Sequence, residues 1–145
     1  MLLAYDHGFE HGPADFDERS IDPAWIMDIA DSGYFTGVIF QKGIASKYYN
    51  KKKHKVPLIV KLNGKTAFHV NEEPISLQNC TVDEAIELGA VAVGYTIYVG
   101  SENEQQMIAE FSNGWLRRPA KPRCSWLAAK KRKTRNWCSK PPRRL

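Results

Sequence analysis

The stretch Leu2-Leu3-Ala4-Tyr5-Asp6-His7-Gly8-Phe9-Glu10-His11-Gly12-Pro13 decides the fold. A short apolar run ends on a carboxylate, and a segment with Gly, His and Pro follows at once. Apolar runs bounded by Gly and Pro read as buried strands, and the Gly and Pro predict a loop for residues 7–13. An Asp at the carboxyl end of such a strand is costly to bury without partners. In barrel enzymes that end of the strand is where chemistry sits. Asp6 is therefore the first candidate functional residue.

The pattern repeats. Gly37-Val38-Ile39-Phe40 is a second buried run, closed by Gln41-Lys42-Gly43. Val56 to Leu62 is a third, closed by Asn63-Gly64-Lys65-Thr66, and Ala90 to Tyr98 is a fourth, closed by Val99-Gly100-Ser101. Helices are expected between them. Asp22-Pro23 starts one, with Asp22 as cap and Pro23 in the first turn. Ile44 to Tyr49 is a shorter second. Thr81-Val82-Asp83-Glu84 has the form of a capping box and opens a helix that stops near Gly89; Ser101 to Glu104 has the same form. Strands and helices in alternation, with near-continuous apolar strands, mean a parallel sheet covered by helices.

These same segments carry a resemblance. LLAYDHGFEHGPADF, GVIFQKGIASKYY, VPLIVKLNGKT and AVGYTIYVGSE together closely resemble the archaeal-type class I fructose-bisphosphate aldolases, over about residues 2–112. The resemblance implies an α/β fold, the first four βα units of a TIM (β/α)8 barrel. It implies reversible aldol cleavage of fructose 1,6-bisphosphate to dihydroxyacetone phosphate and glyceraldehyde 3-phosphate. The reaction runs through a lysine Schiff base with no cofactor, in a protein expected to be a homo-oligomer at full length. Related enzymes that make an aromatic-amino-acid precursor from a sugar phosphate are the alternative within the enzyme class.

The chain changes character at about Asn113. Residues 1–112 hold 16 Asp plus Glu and 9 Lys plus Arg; residues 113–145 hold 12 Lys plus Arg and no acid. The tail also carries three of the four Trp and two of the three Cys, with no sustained period of 3.6 or 2. Two domains are therefore expected: residues 1–112, the amino-terminal half of an aldolase barrel, and residues 113–145, an irregular basic tail. One reading of the tail is a nucleic-acid arm centred on Lys130-Lys131-Arg132-Lys133. The preferred one is translation in another reading frame, so no nucleic-acid partner is expected. The start reads as clipped too, because the family has a helical segment ahead of the first strand.

Three residues are candidates for the site: Asp6 as the catalytic group, and Asp6, His11 and Lys61 as the substrate-binding set. Asp6 can act as acid or base around a carbinolamine and an iminium; as a bare sequence feature it could equally cap the following turn, and the resemblance favours the functional role. His11 lies beside the substrate by resemblance; otherwise it is a loop histidine bonding to backbone. His7-Gly8-Phe9-Glu10-His11 matches an inverted zinc-protease pattern, but that pattern needs a helix, so no metal is expected. Alternation along the third strand puts Ile59, Lys61 and Asn63 on one face. An inward lysine is a tempting nucleophile. By resemblance, however, the Schiff-base lysine comes from a later strand, and Lys61 is expected to pair with a carboxylate, Asp6 being the one proposed. Cys80 reads as structural.

No segment approaches the ~20 apolar residues of a membrane span, and none has the form of a secretory signal. Three cysteines without zinc-ligand spacing fit a reduced cytoplasmic protein. Of the catalytic set implied by the resemblance, residues 1–112 carry the Asp alone. The lysine, an acid/base tyrosine and a phosphate site belong to later strands, so the chain as written is expected to be an inactive fragment.

Overall fold

A computed structural model of the chain describes residues 1–66, 68, 72–116 and 125–132. In chain order the elements are β1 (Leu2–Tyr5), α1 (His7–His11), a 3-10 turn (Pro13–Asp15), α2 (Pro23–Ala30), β2 (Gly37–Gln41), α3 (Lys42–Tyr48) and β3 (Leu58–Lys61). There follow β4 (Asn63–Gly64), β5 (Leu77–Gln78), α4 (Val82–Glu87), β6 (Ala92–Val99), α5 (Glu104–Leu116) and β7 (Ser125–Arg132). Five strands form one sheet in the order β1-β2-β3-β6-β7, and every pairing is parallel. The short β4 and β5 pair antiparallel beside it.

Register sorts the side chains into two faces. Tyr5, Phe40, Val60 and Val93 are aligned across the sheet, and Leu58 and Val38 lie one pleat below. These residues are buried with Ile26, Met27 and Ala30 of α2, Ala45 of α3 and Ala85 of α4. This face is the hydrophobic core, and it exists because the helices return over one side of the sheet. The opposite face aligns Ala4, Ile39, Ile59 and Ala92, then Gln41, Lys61 and Gly94. It becomes polar toward the carboxyl ends of the strands.

Local signals explain most of the boundaries. Asp22 caps α2 by accepting a hydrogen bond from the Ala24 amide at 2.9 Å, with Pro23 in the first turn. Thr81 and Glu84 form the expected reciprocal capping box on α4, a feature worth about 1 kcal/mol. Gly89, at φ 85°, ends that segment. Asn63 joins β3 to β6: its side chain donates to the Thr96 carbonyl at 2.8 Å and accepts from the Thr96 amide at 2.8 Å.

Three expectations need correction. Residues 7–11 are helical rather than a loop. The Glu10 amide bonds the Asp6 carbonyl, and the Glu10 carboxylate is tied to Lys61; these tethers outweigh the poor helix propensity of Gly8. Ser101 to Glu104 is a turn ahead of α5, not a capping box. The Ser101 hydroxyl donates to the Pro74 carbonyl, and Glu104 reaches back one residue further, to the Gly100 amide. Finally, residues 125–132, read as part of an irregular tail, pair as β7 along β6 from Ala92↔Ser125 to Val99↔Arg132. The unpaired edge of β6 offers a template that a short run such as Trp126-Leu127-Ala128-Ala129 can take up. The remaining tail residues, including Lys133, lie outside the described residues.

Candidate active site

The carboxyl ends of β1 and β3 bring the site together. Asp6 immediately follows β1, and Lys61 is the last residue of β3. The Lys61 ammonium donates to Asp6 Oδ2 at 2.6 Å and also to Glu10 Oε1. Glu10 lies four residues after Asp6 on the single turn of α1, so both carboxylates face the same amine. The Tyr98 hydroxyl, one residue from the end of β6, reaches the other Glu10 oxygen at 3.4 Å. Lys65 lies over the Tyr98 ring, 5.8 Å from its centroid. Lys61 and Glu10 side chains are each 7% exposed, whereas Asp6 is 22% exposed. Asp6 is therefore the member of the cluster that still meets solvent.

Burial, followed by the negative charge of Glu10, pushes the Tyr98 hydroxyl well above the usual tyrosine range. Tyr98 is thus a hydrogen-bond donor at neutral pH and not a base. Tyr95 is raised in the same way, by burial first and Glu110 second, but it lies on the helix-covered face, bonded to Glu110 at 3.0 Å.

A cavity of about 720 Å³ with mostly apolar walls opens beside the cluster. Asp6, Phe9, Phe16, Gln41, Lys42 and Asn79 line it. Gln41 is held there by donating to the Asn63 carbonyl at 3.1 Å and accepting from Asn79 at 3.3 Å. A Cβ at Gly64 would sit 2.6 Å from the Phe9 ring, so glycine is required for α1 to close over the end of β3.

The sequence candidates divide. Asp6 and Lys61 meet, as the proposed pairing anticipated. His11 does not join them; it is half exposed and pairs with Asp15 at 3.2 Å, across the Gly12 break between α1 and the 3-10 turn. Glu10 and Tyr98 are the members that sequence reasoning missed. The signal for Glu10 was its spacing from Asp6, which carries meaning only once residues 7–11 are helical. No group of three or more His, Cys, Asp or Glu able to hold a metal occurs among the described residues.

Residues 1–113 match the DeoC/LacD family of aldolases. The chain belongs to that family. Within it, this DeoC/LacD aldolase chain is 55% identical over 114 residues to the class 1 fructose-bisphosphate aldolase of Thermoproteus tenax, covering 77% of this chain and 42% of the relative. It is 44% identical over 113 residues to that of Halobacterium salinarum, covering 77% and 43%. It is 36% identical over 123 residues to the fructose-bisphosphate aldolase/6-deoxy-5-ketofructose 1-phosphate synthase of Methanocaldococcus jannaschii, covering 77% and 39%. It superimposes on an archaeal fructose-1,6-bisphosphate aldolase whose catalytic lysine is covalently bound to the carbinolamine intermediate of the substrate. That match has TM-score 0.72 and 55% identity, and covers 77% of this chain and 44% of the other. The sheet of this DeoC/LacD aldolase chain is thus a partial TIM barrel, and the chain spans less than half the length of these relatives. No helix of the described residues is long and apolar enough to cross a membrane.

Proposed function

We propose that residues 1–112 are the amino-terminal half of a class I fructose-bisphosphate aldolase barrel. The observation that supports this best is the Asp6–Lys61–Glu10 cluster at the carboxyl ends of β1 and β3. That is the end of a barrel at which catalytic groups gather. In this reading Asp6 moves a proton at the reacting hydroxyl as the carbon–carbon bond breaks or forms. Lys61 is the fixed positive charge that holds the Asp6 carboxylate in place. His11, exposed at the end of α1, contributes to the substrate side. The imine is made by a lysine on a strand beyond the matched segment, where the acid/base tyrosine and the phosphate site are also placed. Without that amine the covalent route is closed. The 145-residue chain is therefore expected to be inactive, and the substrate is a sugar phosphate handled by a complete, homo-oligomeric, cytoplasmic enzyme. The basic segment from residue 113 has no part in this chemistry.

A chimera tests the reading. Residues 1–112 replace the matching segment of the Thermoproteus tenax aldolase, and cleavage of fructose 1,6-bisphosphate is followed. Turnover is expected, and Asp6→Ala in the chimera lowers it by about two orders of magnitude or more while the protein still folds. A folded chimera that leaves the substrate intact refutes the proposal, as does near-normal turnover in Asp6→Ala. The 145-residue chain itself is expected to form no stoichiometric borohydride-trapped adduct with dihydroxyacetone phosphate.

A further inference from the structure

An enzyme that works through one lysine imine has a problem with any second amine facing the same interior. A bystander amine that captures the substrate carbonyl takes the site out of turnover. Lys61 faces that interior. We infer that Glu10 is a positioning residue that clamps Lys61 onto Asp6 and so withholds Lys61 from imine formation, with the Tyr98 hydroxyl holding Glu10 in place. The inference rests on the aldolase reading for its purpose; the clamp itself is seen directly.

Both oxygens of Glu10 are engaged, Oε1 by the Lys61 ammonium and Oε2 by Tyr98. Glu10 is also enclosed, whereas Asp6 lines the open cavity. Glu10 therefore acts through Lys61 and not on substrate. Attack on a carbonyl needs Nζ to turn toward it, and Nζ is held between the Asp6 and Glu10 carboxylates. Drawing Nζ away would leave two carboxylates side by side, one of them deeply buried, without their cation. Lys65 is a further charged group near the cluster, 5.8 Å from the centroid of the Tyr98 ring.

The 145-residue chain is incubated with dihydroxyacetone and cyanoborohydride at pH 8, and modified lysines are mapped by peptide mass. In this trap the neutral amine adds to the carbonyl, water leaves, and hydride is delivered to the iminium carbon to give a secondary amine. Lys61 is expected to react far more slowly than the exposed Lys51 and Lys52. Glu10→Gln should raise its modification about tenfold, the scale of a lost charged hydrogen bond, with Lys51 and Lys52 unchanged. Tyr98→Phe should raise it in the same direction by less, and it serves as the test if Glu10→Gln fails to fold. Met107→Ala, in the buried face of α5, controls for a loosened fold. The inference is overturned by any of three results: Lys61 reacting as fast as Lys51 in the unaltered chain, no change in the folded variants, or an equal rise in Met107→Ala. Failure of the aldolase reading would appear instead in the chimera's turnover, which this map does not measure.

Discussion

Lys61 stands 2.6 Å from Asp6 across 55 residues of sequence, one at the end of β3 and the other just past β1. The two strands are not neighbours; β2 lies between them. The contact forms because the parallel register carries both side chains to the same face at the same height, where Gln41 of β2 is level with Lys61. A parallel sheet in sequence order converts a distant pair into a local one.

The first prediction concerns that pair. Lys61→Met removes the cation and leaves the enclosed Glu10 carboxylate without a partner. Breaking a buried ion pair from one side typically costs about 3–5 kcal/mol. Urea unfolding should show a loss on this scale, and Lys61→Met combined with Glu10→Leu should recover most of it. Equal losses in the single and double variants would mean that the charge imbalance is not the cause.

A second prediction concerns pH. The hydrogen bond from Lys42, joined by the Thr81 amide, holds the Glu84 carboxyl down to about 2, against 4.5 for an unperturbed glutamate. A carboxyl depressed on folding contributes stability that is fully present above its unfolded value and fades as pH falls toward its folded one. The stability difference between the unaltered chain and Glu84→Gln should therefore be steady from pH 7 to about 4.5 and shrink between there and pH 2. Urea midpoints at a series of pH values measure it; a difference that stays constant to pH 2.5 would contradict the assignment.

Cys80 gives the third. Burial, reinforced by the Glu84 charge, pushes its thiol up to about 11. Thiolate is the reactive form, so at pH 8 iodoacetamide should modify Cys80 about two orders of magnitude more slowly than a free thiol. Peptide mapping isolates this site from Cys124 and Cys138. Rapid labelling of the folded chain would show that the buried placement of Cys80 is wrong.

The fourth is genetic. The family match stops at residue 113, beside the point where acidic residues disappear from the sequence. The DNA downstream of codon 111 is expected to encode, in another frame, further βα units that include a strand-borne lysine. Stop codons within a few residues in both other frames would end this idea.

By itself the sequence determined the four apolar strands, the Asp22 cap, the Thr81–Glu84 capping box and the side of the third strand that carries Lys61. Each of these is set by local chemistry: the period of apolar residues, a side-chain oxygen facing orphan amides, or a fixed alternation along a strand. Tertiary structure decided three further things. Residues 7–11 became a helix because Glu10 found Lys61, although Gly8 and Pro13 argued locally for a loop. Glu104 capped the Gly100 amide and not that of Ser101, while the Ser101 hydroxyl tied the turn to the Pro74 carbonyl and accepted from the Asn103 amide. The site became a cluster of four, with Glu10 and Tyr98 added to Asp6 and Lys61, because parallel register brings the ends of β1, β3 and β6 together. No spacing along the chain encodes that meeting, since it depends on which strands lie side by side and at what height.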